Sequence, residues 1–204
     1  QVVDELLGDD GKLNLGGEER EVTILFTDIR GFTSMSEKME PERVVTTLNE
    51  YFSDMIDIVF KNNGTLDKII GDELMVLFGA PISGENDTGR AVSTAVEMQK
   101  RIKEMNKERK RKKEPPILVG AGINCGRVVS GNIGSRDLMD YTVIGDTVNV
   151  ASRLCAAAGP GEILVSSSVH GLTKKEHPYE TLDPIRVKGK EKKVPAFMIK
   201  ESDK

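Results

Sequence analysis

The chain has 204 residues, of which 38% are hydrophobic and 30% are charged, and its net charge is −4. This length and composition are typical of one globular domain with a sizeable core. The acidic balance, the 4% aromatic content and the lack of a concentrated basic stripe argue against a dedicated nucleic-acid binder. The longest apolar runs fall far short of the ~18 residues of a membrane span. The two cysteines, Cys125 and Cys155, do not have the spacing of a zinc site.

The first 21 residues are polar and rich in glycine, so we expect them to be a linker that leads into a folded domain at residues 22–204. Because the first residue is Gln rather than Met, we expect the chain to be part of a longer protein. The first strand is predicted at residues 22–28, where Val22, Ile24 and Phe26 lie on one face.

The first long helix is predicted to begin at Pro41, because apolar residues then recur at helical spacing as far as Val59. Two short strands at residues 65–70 and 74–78 flank Gly71 and Asp72 and predict a hairpin. Asp87 is predicted to cap a second helix that runs to about Met105, and the basic residues 107–113 after it are expected to be a solvated loop.

The second half of the chain predicts further strands, a hairpin arm at residues 132–142 and a helix at residues 147–157. The predicted strands lie at residues 117–124, 163–166, 185–188 and 196–199. The order β-α-β-β-α-β with additions predicts an α+β fold of the ferredoxin-like type. In this arrangement one antiparallel sheet carries its helices on one face.

Two aspartates stand where a predicted strand gives way to a turn. Asp28 follows the first strand, and Asp72 lies in the hairpin. Each alone is an ordinary turn residue. Together, two such carboxylates can share divalent cations, because Mg²⁺ takes one or two protein carboxylates and completes its shell with water and phosphate oxygens.

Further along the chain, Asn149 and Arg153 are four positions apart and share one face of the predicted helix at residues 147–157. A permanently charged guanidinium suits the negative charge that develops during phosphoryl transfer, although an ordinary solvated helix face would have the same pattern. The segment Gly31, Phe32 and Thr33 leads from Asp28 toward a helix, so its backbone N–H groups can cradle phosphates.

Three segments together resemble one family, the class III nucleotidyl cyclases, whose members include the adenylyl and guanylyl cyclase catalytic domains. They are FTDIRGFT at residues 26–33, KIIGD at residues 68–72 and GDTVNVASR at residues 145–153. They occur in the family's order and at similar separations, and the resemblance covers about residues 20–200. Within this family, the chain resembles the bacterial type of adenylyl cyclase in particular.

The resemblance implies a reaction and its metal ions. ATP would be converted to 3′,5′-cyclic AMP and pyrophosphate by attack of the ribose 3′-hydroxyl on the α-phosphate. Asp28 and Asp72, together with the carbonyl of Ile29, would hold two Mg²⁺ or Mn²⁺ ions.

The resemblance also implies substrate-binding roles. Asn149 would orient the ribose, Arg153 would stabilise the five-coordinate α-phosphate, and Lys188 would bind the terminal phosphates. Lys68 stands where adenylyl cyclases carry a lysine and guanylyl cyclases a glutamate, so ATP is favoured over GTP. Thr142 replaces an aspartate that many adenylyl cyclases have at the partner position, and its hydroxyl can still accept from the adenine amino group.

Family sites lie between two catalytic domains, and this chain retains both sets of residues, so a symmetric homodimer with two equivalent sites is implied. An upstream sensor or membrane-anchored region of the same polypeptide and a cytoplasmic location for this domain are expected as well. The alternative is a catalytically inactive regulatory dimerisation module, which typically lacks a metal aspartate or the Asn/Arg pair. A second alternative is a palm-type polymerase or dinucleotide cyclase, which would share the fold class and the binding of catalytic metal ions by carboxylates.

Overall fold

The computed structural model describes residues 16–135, 139–185 and 193–200. Within these residues, eight strands form one sheet and five helices pack against it. The strands are β1 (Gly16–Ile29), β2 (Thr65–Ile70), β3 (Glu73–Phe78), β4 (Val119–Gly134), β5 (Met139–Ile144), β6 (Ile163–Ser166), β7 (Tyr179–Thr181) and β8 (Ala196–Ile199). The helices are α1 (Phe32–Ser36), α2 (Pro41–Lys61), α3 (Asp87–Arg111), α4 (Asp146–Ala157) and α5 (Ser167–Thr173).

The sheet confirms the predicted α+β class. Its strand order is β2-β3-β1-β4-β6-β8-β7, and β5 pairs with β4 beside this path. The central strand β1 is antiparallel to both β3 and β4, whereas β4 and β6 are parallel. The predicted arm is present as the antiparallel pair of β4 and β5, in which Gly131 lies opposite Thr142.

The two faces of the sheet bury different helices. One core joins the sheet to α2, α3 and α5, and includes Leu25, Tyr51, Met55, Val92, Met98 and Val169. The other core joins the sheet to α4, and includes Val22, Ile24, Phe26, Ala151 and Cys155. Since successive side chains of a strand point to opposite faces, β1 contributes to both cores. The expectation that all helices lie on one face is therefore wrong for α4.

The contact between α4 and β4 is unusually close, because it depends on Gly122. A Cβ atom at Gly122 would lie 2.0 Å from the backbone nitrogen of Cys155 and 2.5 Å from the carbonyl oxygen of Ala151. Only glycine lets the helix backbone reach the strand backbone in this way. This packing sets the depth at which α4 sits on the sheet.

Several element boundaries differ from the prediction. Strand β1 begins at Gly16, so residues 16–21, expected in the linker, are strand. These residues form backbone hydrogen bonds with β4, beginning with the pair Gly16 and Asn132. Their glycine-rich composition does not indicate a strand. Helix α3 continues to Arg111, and the side chain of Arg109, predicted in a solvated loop, is 5% exposed, with its Nε donating to the carbonyl of Pro115.

Other elements were missed or displaced. The prediction did not include α1, α5 and β7, which have three to seven residues each and are too short for a clear periodic pattern. Asn86 rather than Asp87 caps α3, because its side chain accepts from the backbone N–H of Gly89. Ile185 forms an isolated bridge with Val194, and the rest of the strand predicted at 185–188 lies outside the described residues. None of the helices in the described ranges combines the length and apolar character that crossing a membrane requires.

Candidate active site

The fold brings Asp28 and Asp72 together, as the sequence predicts. Asp28 is the last residue but one of β1, and Asp72 lies in the two-residue turn between β2 and β3, where Gly71 has φ +64°. Since Thr27 on β1 pairs with Leu74 on β3, the end of β1 and this turn lie side by side. The two carboxylates thus meet across 44 positions of sequence.

Burial and neighbouring negative charge both raise the pKa values of carboxyl groups at this point. Burial and the charge of Asp28 raise the pKa of Asp72 to about 6, while backbone hydrogen bonds of Asp72 and Ile29 act in the opposite direction. Burial, followed by the charges of Asp28 and Asp72, raises the pKa of Glu73 to about 7. The charge of Asp28 thus acts on both Asp72 and Glu73 near the end of β1, and a bound cation would offset this repulsion.

The donor set at this point fits a hard divalent cation. In the described ranges, His, Cys, Asp and Glu side chains form no cluster of three or more that could hold a metal. Asp28 and Asp72 are thus a pair of carboxylates that leaves the remaining ligand positions to backbone carbonyls, water and phosphate oxygens, as Mg²⁺ prefers. Ile29, the third predicted ligand, follows Asp28 directly, and its side chain is buried in the core.

Arg30 is a functional candidate that the sequence analysis missed. Its Nη2 lies 2.5 Å from Oδ2 of Asp28, and the same guanidinium donates to the carbonyl of Ala156 at 3.4 Å and contacts Sγ of Cys155 at 3.7 Å. Burial raises the pKa of the Cys155 thiol to about 12, so the thiol stays neutral beside the guanidinium. Arg30 therefore ties the end of β1 to the last turn of α4. The one feature of the sequence that could have indicated a role for Arg30 is its position two residues after Asp28.

The predicted phosphate segment forms a sharp strand-to-helix turn. Gly31 adopts φ +71° and precedes the first residue of α1, Phe32. Gly31 and Thr33 are exposed, whereas Phe32 packs against the core on the α2 and α3 face. The turn therefore lies just after Asp28 and the end of β1, and the backbone of Gly31 is exposed.

The two residues predicted to read the base also come together, around a residue that was not predicted. Nζ of Lys68 lies 3.2 Å from Oδ2 of Asp67 and 3.1 Å from Oδ2 of Asp140. The hydroxyl of Thr142 donates to the same Oδ2 of Asp67 at 3.1 Å. Burial lowers the pKa of Lys68, but its hydrogen bonds to Asp140 and Asp67 outweigh this effect and leave the pKa raised. Asp67 is thus the link between Lys68 and Thr142.

Asn149 and Arg153 lie one turn apart on α4, as predicted, and neither side chain has a hydrogen bond or ion pair with any residue that the structure describes. Arg153 and Cys155 are about 200° apart around the helix. Because Cys155 contacts Arg30, the face that carries Asn149 and Arg153 points away from the contact between Arg30 and Asp28. Lys188, the last predicted site residue, lies outside the described residues.

The chain matches the family model of the adenylate and guanylate cyclase catalytic domain over residues 17–201. It is 38% identical over 190 residues to an adenylate cyclase of Anabaena cylindrica, and the match covers 89% of this chain and 37% of that protein. The chain thus corresponds to a part of this longer relative.

Solved structures resemble the fold over nearly its whole length. The adenylyl cyclase CyaB from P. aeruginosa is 37% identical with a TM-score of 0.88, covering 92% of this chain and 97% of that chain. The guanylyl cyclase Cya2 is 39% identical with a TM-score of 0.83, and the match covers 91% of this chain and 94% of that chain. Both substrate classes thus occur among similar proteins. The matched range and the agreement in fold establish that the chain belongs to the class III family of adenylate and guanylate cyclase catalytic domains.

Proposed function

We propose that this domain is an adenylyl cyclase that converts ATP to 3′,5′-cyclic AMP and pyrophosphate. The observation that carries the choice of ATP is the meeting of Lys68 and Thr142 around Asp67. A lysine ammonium donates to N1 of adenine, which is an acceptor, and a hydroxyl oxygen can accept from the adenine amino group. Guanine presents N1–H and a carbonyl at the same positions, so a lysine there is a poor match.

The carboxylate pair would hold the metal ions. We propose that Asp28 and Asp72, with the carbonyl of Ile29, bind two Mg²⁺ or Mn²⁺ ions. Such ions, when bound, favour ionisation of the attacking hydroxyl and neutralise the triphosphate. Burial and the charge of Asp28 raise the pKa of Asp72, and a cation bound between the two carboxylates would favour their ionised forms. Arg30, which is ion-paired with Asp28, would help to orient that carboxylate.

The remaining residues would bind and orient the nucleotide. The backbone N–H groups of the turn at Gly31, Phe32 and Thr33 would face the phosphates. Asn149 would orient the ribose, Arg153 would stabilise the charge on the α-phosphate, and Lys188 would hold the terminal phosphates. Catalysis would then consist mainly of positioning and electrostatic stabilisation, which is the usual pattern in phosphoryl transfer.

We further propose that the site is shared across a homodimer. Asn149 and Arg153 have no partners among the described residues, and they lie on the side of α4 away from the contact between Arg30 and Asp28. A second copy related by a twofold axis would offer its own Asn149 and Arg153 to the carboxylates of the first. An upstream sensor or membrane-anchored region and a cytoplasmic location belong to the same proposal, on the resemblance alone.

The product formed by the purified domain tests the proposal. Initial rates with ATP and with GTP are measured in Mg²⁺ and in Mn²⁺, and products are separated by chromatography. We expect cyclic AMP, with kcat/KM for ATP at least about tenfold above that for GTP. A higher kcat/KM for GTP would contradict the choice of base. Absence of turnover with both nucleotides would instead favour the inactive regulatory module.

A further inference from the structure

We propose that Asp67 determines the preference for adenine by fixing the direction in which the Thr142 hydroxyl donates its hydrogen. This inference rests on the proposed function, since it concerns how the same site reads the base. Asp67 would act as a positioning residue, because it touches Thr142 and Lys68 rather than the nucleotide.

A β-bulge explains how Asp67 reaches this position. Leu66 pairs with Val76 and Lys68 pairs with Met75, so Asp67 is an extra residue without a partner on β3. In a regular strand, neighbouring side chains point to opposite faces, whereas a bulge re-aims them. Asp67 and Lys68 consequently reach the same group of side chains although they are adjacent in sequence.

The environment of the Asp67 carboxylate favours a fixed geometry. Its side chain is 1% exposed. One oxygen, Oδ2, contacts both Lys68 and Thr142, and the other, Oδ1, has no hydrogen-bond partner among the described residues. A buried carboxylate with the ammonium of Lys68 at 3.2 Å is held in place by that charge and by the Thr142 hydroxyl.

The consequence for Thr142 follows from donor and acceptor rules. An ionised carboxylate can only accept, so the hydroxyl of Thr142 must donate its one hydrogen to Asp67. The hydroxyl oxygen of Thr142 can then act toward a base only as an acceptor, through its lone pairs. An exocyclic amino group, as in adenine, matches them, and the carbonyl O6 of guanine does not. Without Asp67, the hydroxyl would be able to rotate and donate to O6.

Lys68 completes the pattern. An ammonium has three N–H groups. Asp67 and Asp140 accept from two of them, at 3.2 Å and 3.1 Å. The third is left for an acceptor such as N1 of adenine. The site would therefore offer the Thr142 hydroxyl as an acceptor for the adenine amino group and the Lys68 ammonium as a donor to adenine N1. Asp67 would orient both groups, and Asp140 would also hold Lys68.

Three variants of Asp67 separate this role from a structural one. Asp67→Ala and Asp67→Leu remove the acceptor, and the leucine fills the buried space if the alanine variant folds poorly. Asp67→Asn is the matched control, because its amide oxygen can take the place of Oδ2 and still accept from Thr142. The readout is the ratio of kcat/KM for ATP to kcat/KM for GTP. This ratio does not depend on the fraction of folded enzyme, since both rates scale with it.

We expect the ratio to fall by about tenfold or more in the alanine and leucine variants, with the asparagine variant close to wild type. A ratio that stays within about twofold of wild type in the alanine and leucine variants would overturn the inference. An equal fall in the asparagine variant would also overturn it, because charge rather than hydroxyl direction would then be responsible. A wild-type domain that prefers GTP would refute the proposed function together with the inference, whereas the preceding outcomes leave the proposed function intact.

Discussion

Replacement of Lys68 by Glu tests whether the proposed base-reading site depends on the charges of Lys68, Asp67 and Asp140. From the sequence alone, this change is a simple exchange of an adenine-type for a guanine-type residue. In the structure, Lys68 is the cation between Asp67 and Asp140. The variant would therefore place three carboxylates at one point, and we expect it to lose stability and ATP turnover without gaining efficient use of GTP.

The size of the effect follows from the exposure of each partner. Asp140 is 66% exposed, so its contact with Lys68 is worth no more than about 1 kcal/mol. The side chain of Asp67 is 1% exposed and that of Lys68 is 32% exposed. Removing the partner of a buried charge costs about 3–5 kcal/mol, and the partial exposure of Lys68 reduces this to roughly 2 kcal/mol. With repulsion from the new carboxylate, we expect a loss of about 3 kcal/mol.

Urea unfolding at fixed protein concentration measures this loss, together with initial rates on ATP and GTP. We expect the midpoint to fall by about 1–2 M urea. Lys68→Met is the control, because it removes the cation without adding a carboxylate. Repulsion raises the carboxyl pKa values in the folded state, so the gap between the Glu and Met variants should widen as the pH rises and close as it falls.

A combined variant gives the positive arm of the test. Lys68→Glu with Asp67→Asn and Asp140→Asn removes the added repulsion, and we expect it to recover most of the lost stability and to use GTP better than the single variant. If Lys68→Glu alone unfolds at the wild-type urea concentration and turns over GTP efficiently, the charges of Asp67, Lys68 and Asp140 do not govern the site.

Three further predictions concern the metal pair, the dimer and the packing of α4. Asp72→Ala should abolish metal-dependent turnover in a cyclase assay while the circular dichroism spectrum stays native, and near-native activity would refute the metal assignment. Asp28→Ala and Arg153→Ala should each be inactive alone, yet mixing should restore roughly a quarter of wild-type activity after random subunit exchange. No recovery after verified exchange would exclude the shared site. Gly122→Ala should lower the thermal midpoint by several degrees or prevent folding, because its Cβ would lie 2.0 Å from the backbone of Cys155; an unchanged midpoint would mean that α4 can shift at little cost.

Much of the fold and part of the site could be predicted from the sequence. Helix α2 and the hairpin of β2 and β3 follow from clear periodicity and from the turn at Gly71 and Asp72, which are local signals. The meeting of Asp28 with Asp72 was predictable as well, because each stands at the end of a strand. The prediction that Lys68 reads the base came from the family resemblance, because hydrophobic periodicity gives no such signal.

The features that could not be predicted from the sequence depend on contacts between residues far apart in the chain. The first six residues of β1 are strand because β4 pairs with them, and no local pattern indicates this. The position of α4 on the second face requires the close approach at Gly122, and a lone glycine in a strand does not specify it. Asp67 became important through a β-bulge, and a pattern of strict alternation would have placed it on the face opposite to Lys68. Arg30 likewise gains its role only through Ala156, 126 positions away.

The contacts of Arg30 have a consequence for communication between the two sites of the proposed dimer. In each chain, Asp28 would serve one site while α4, with Asn149, would serve the other. One guanidinium joins the two, since Arg30 pairs with Asp28 and donates to the carbonyl of Ala156 near the end of α4. A displacement of α4 when one site fills would then be transmitted to the metal-binding carboxylate of its neighbour, so the sites would bind ATP cooperatively. Arg30→Ala should bring the Hill coefficient of ATP binding to 1, and wild-type binding that already has a coefficient of 1 would show that the sites act independently.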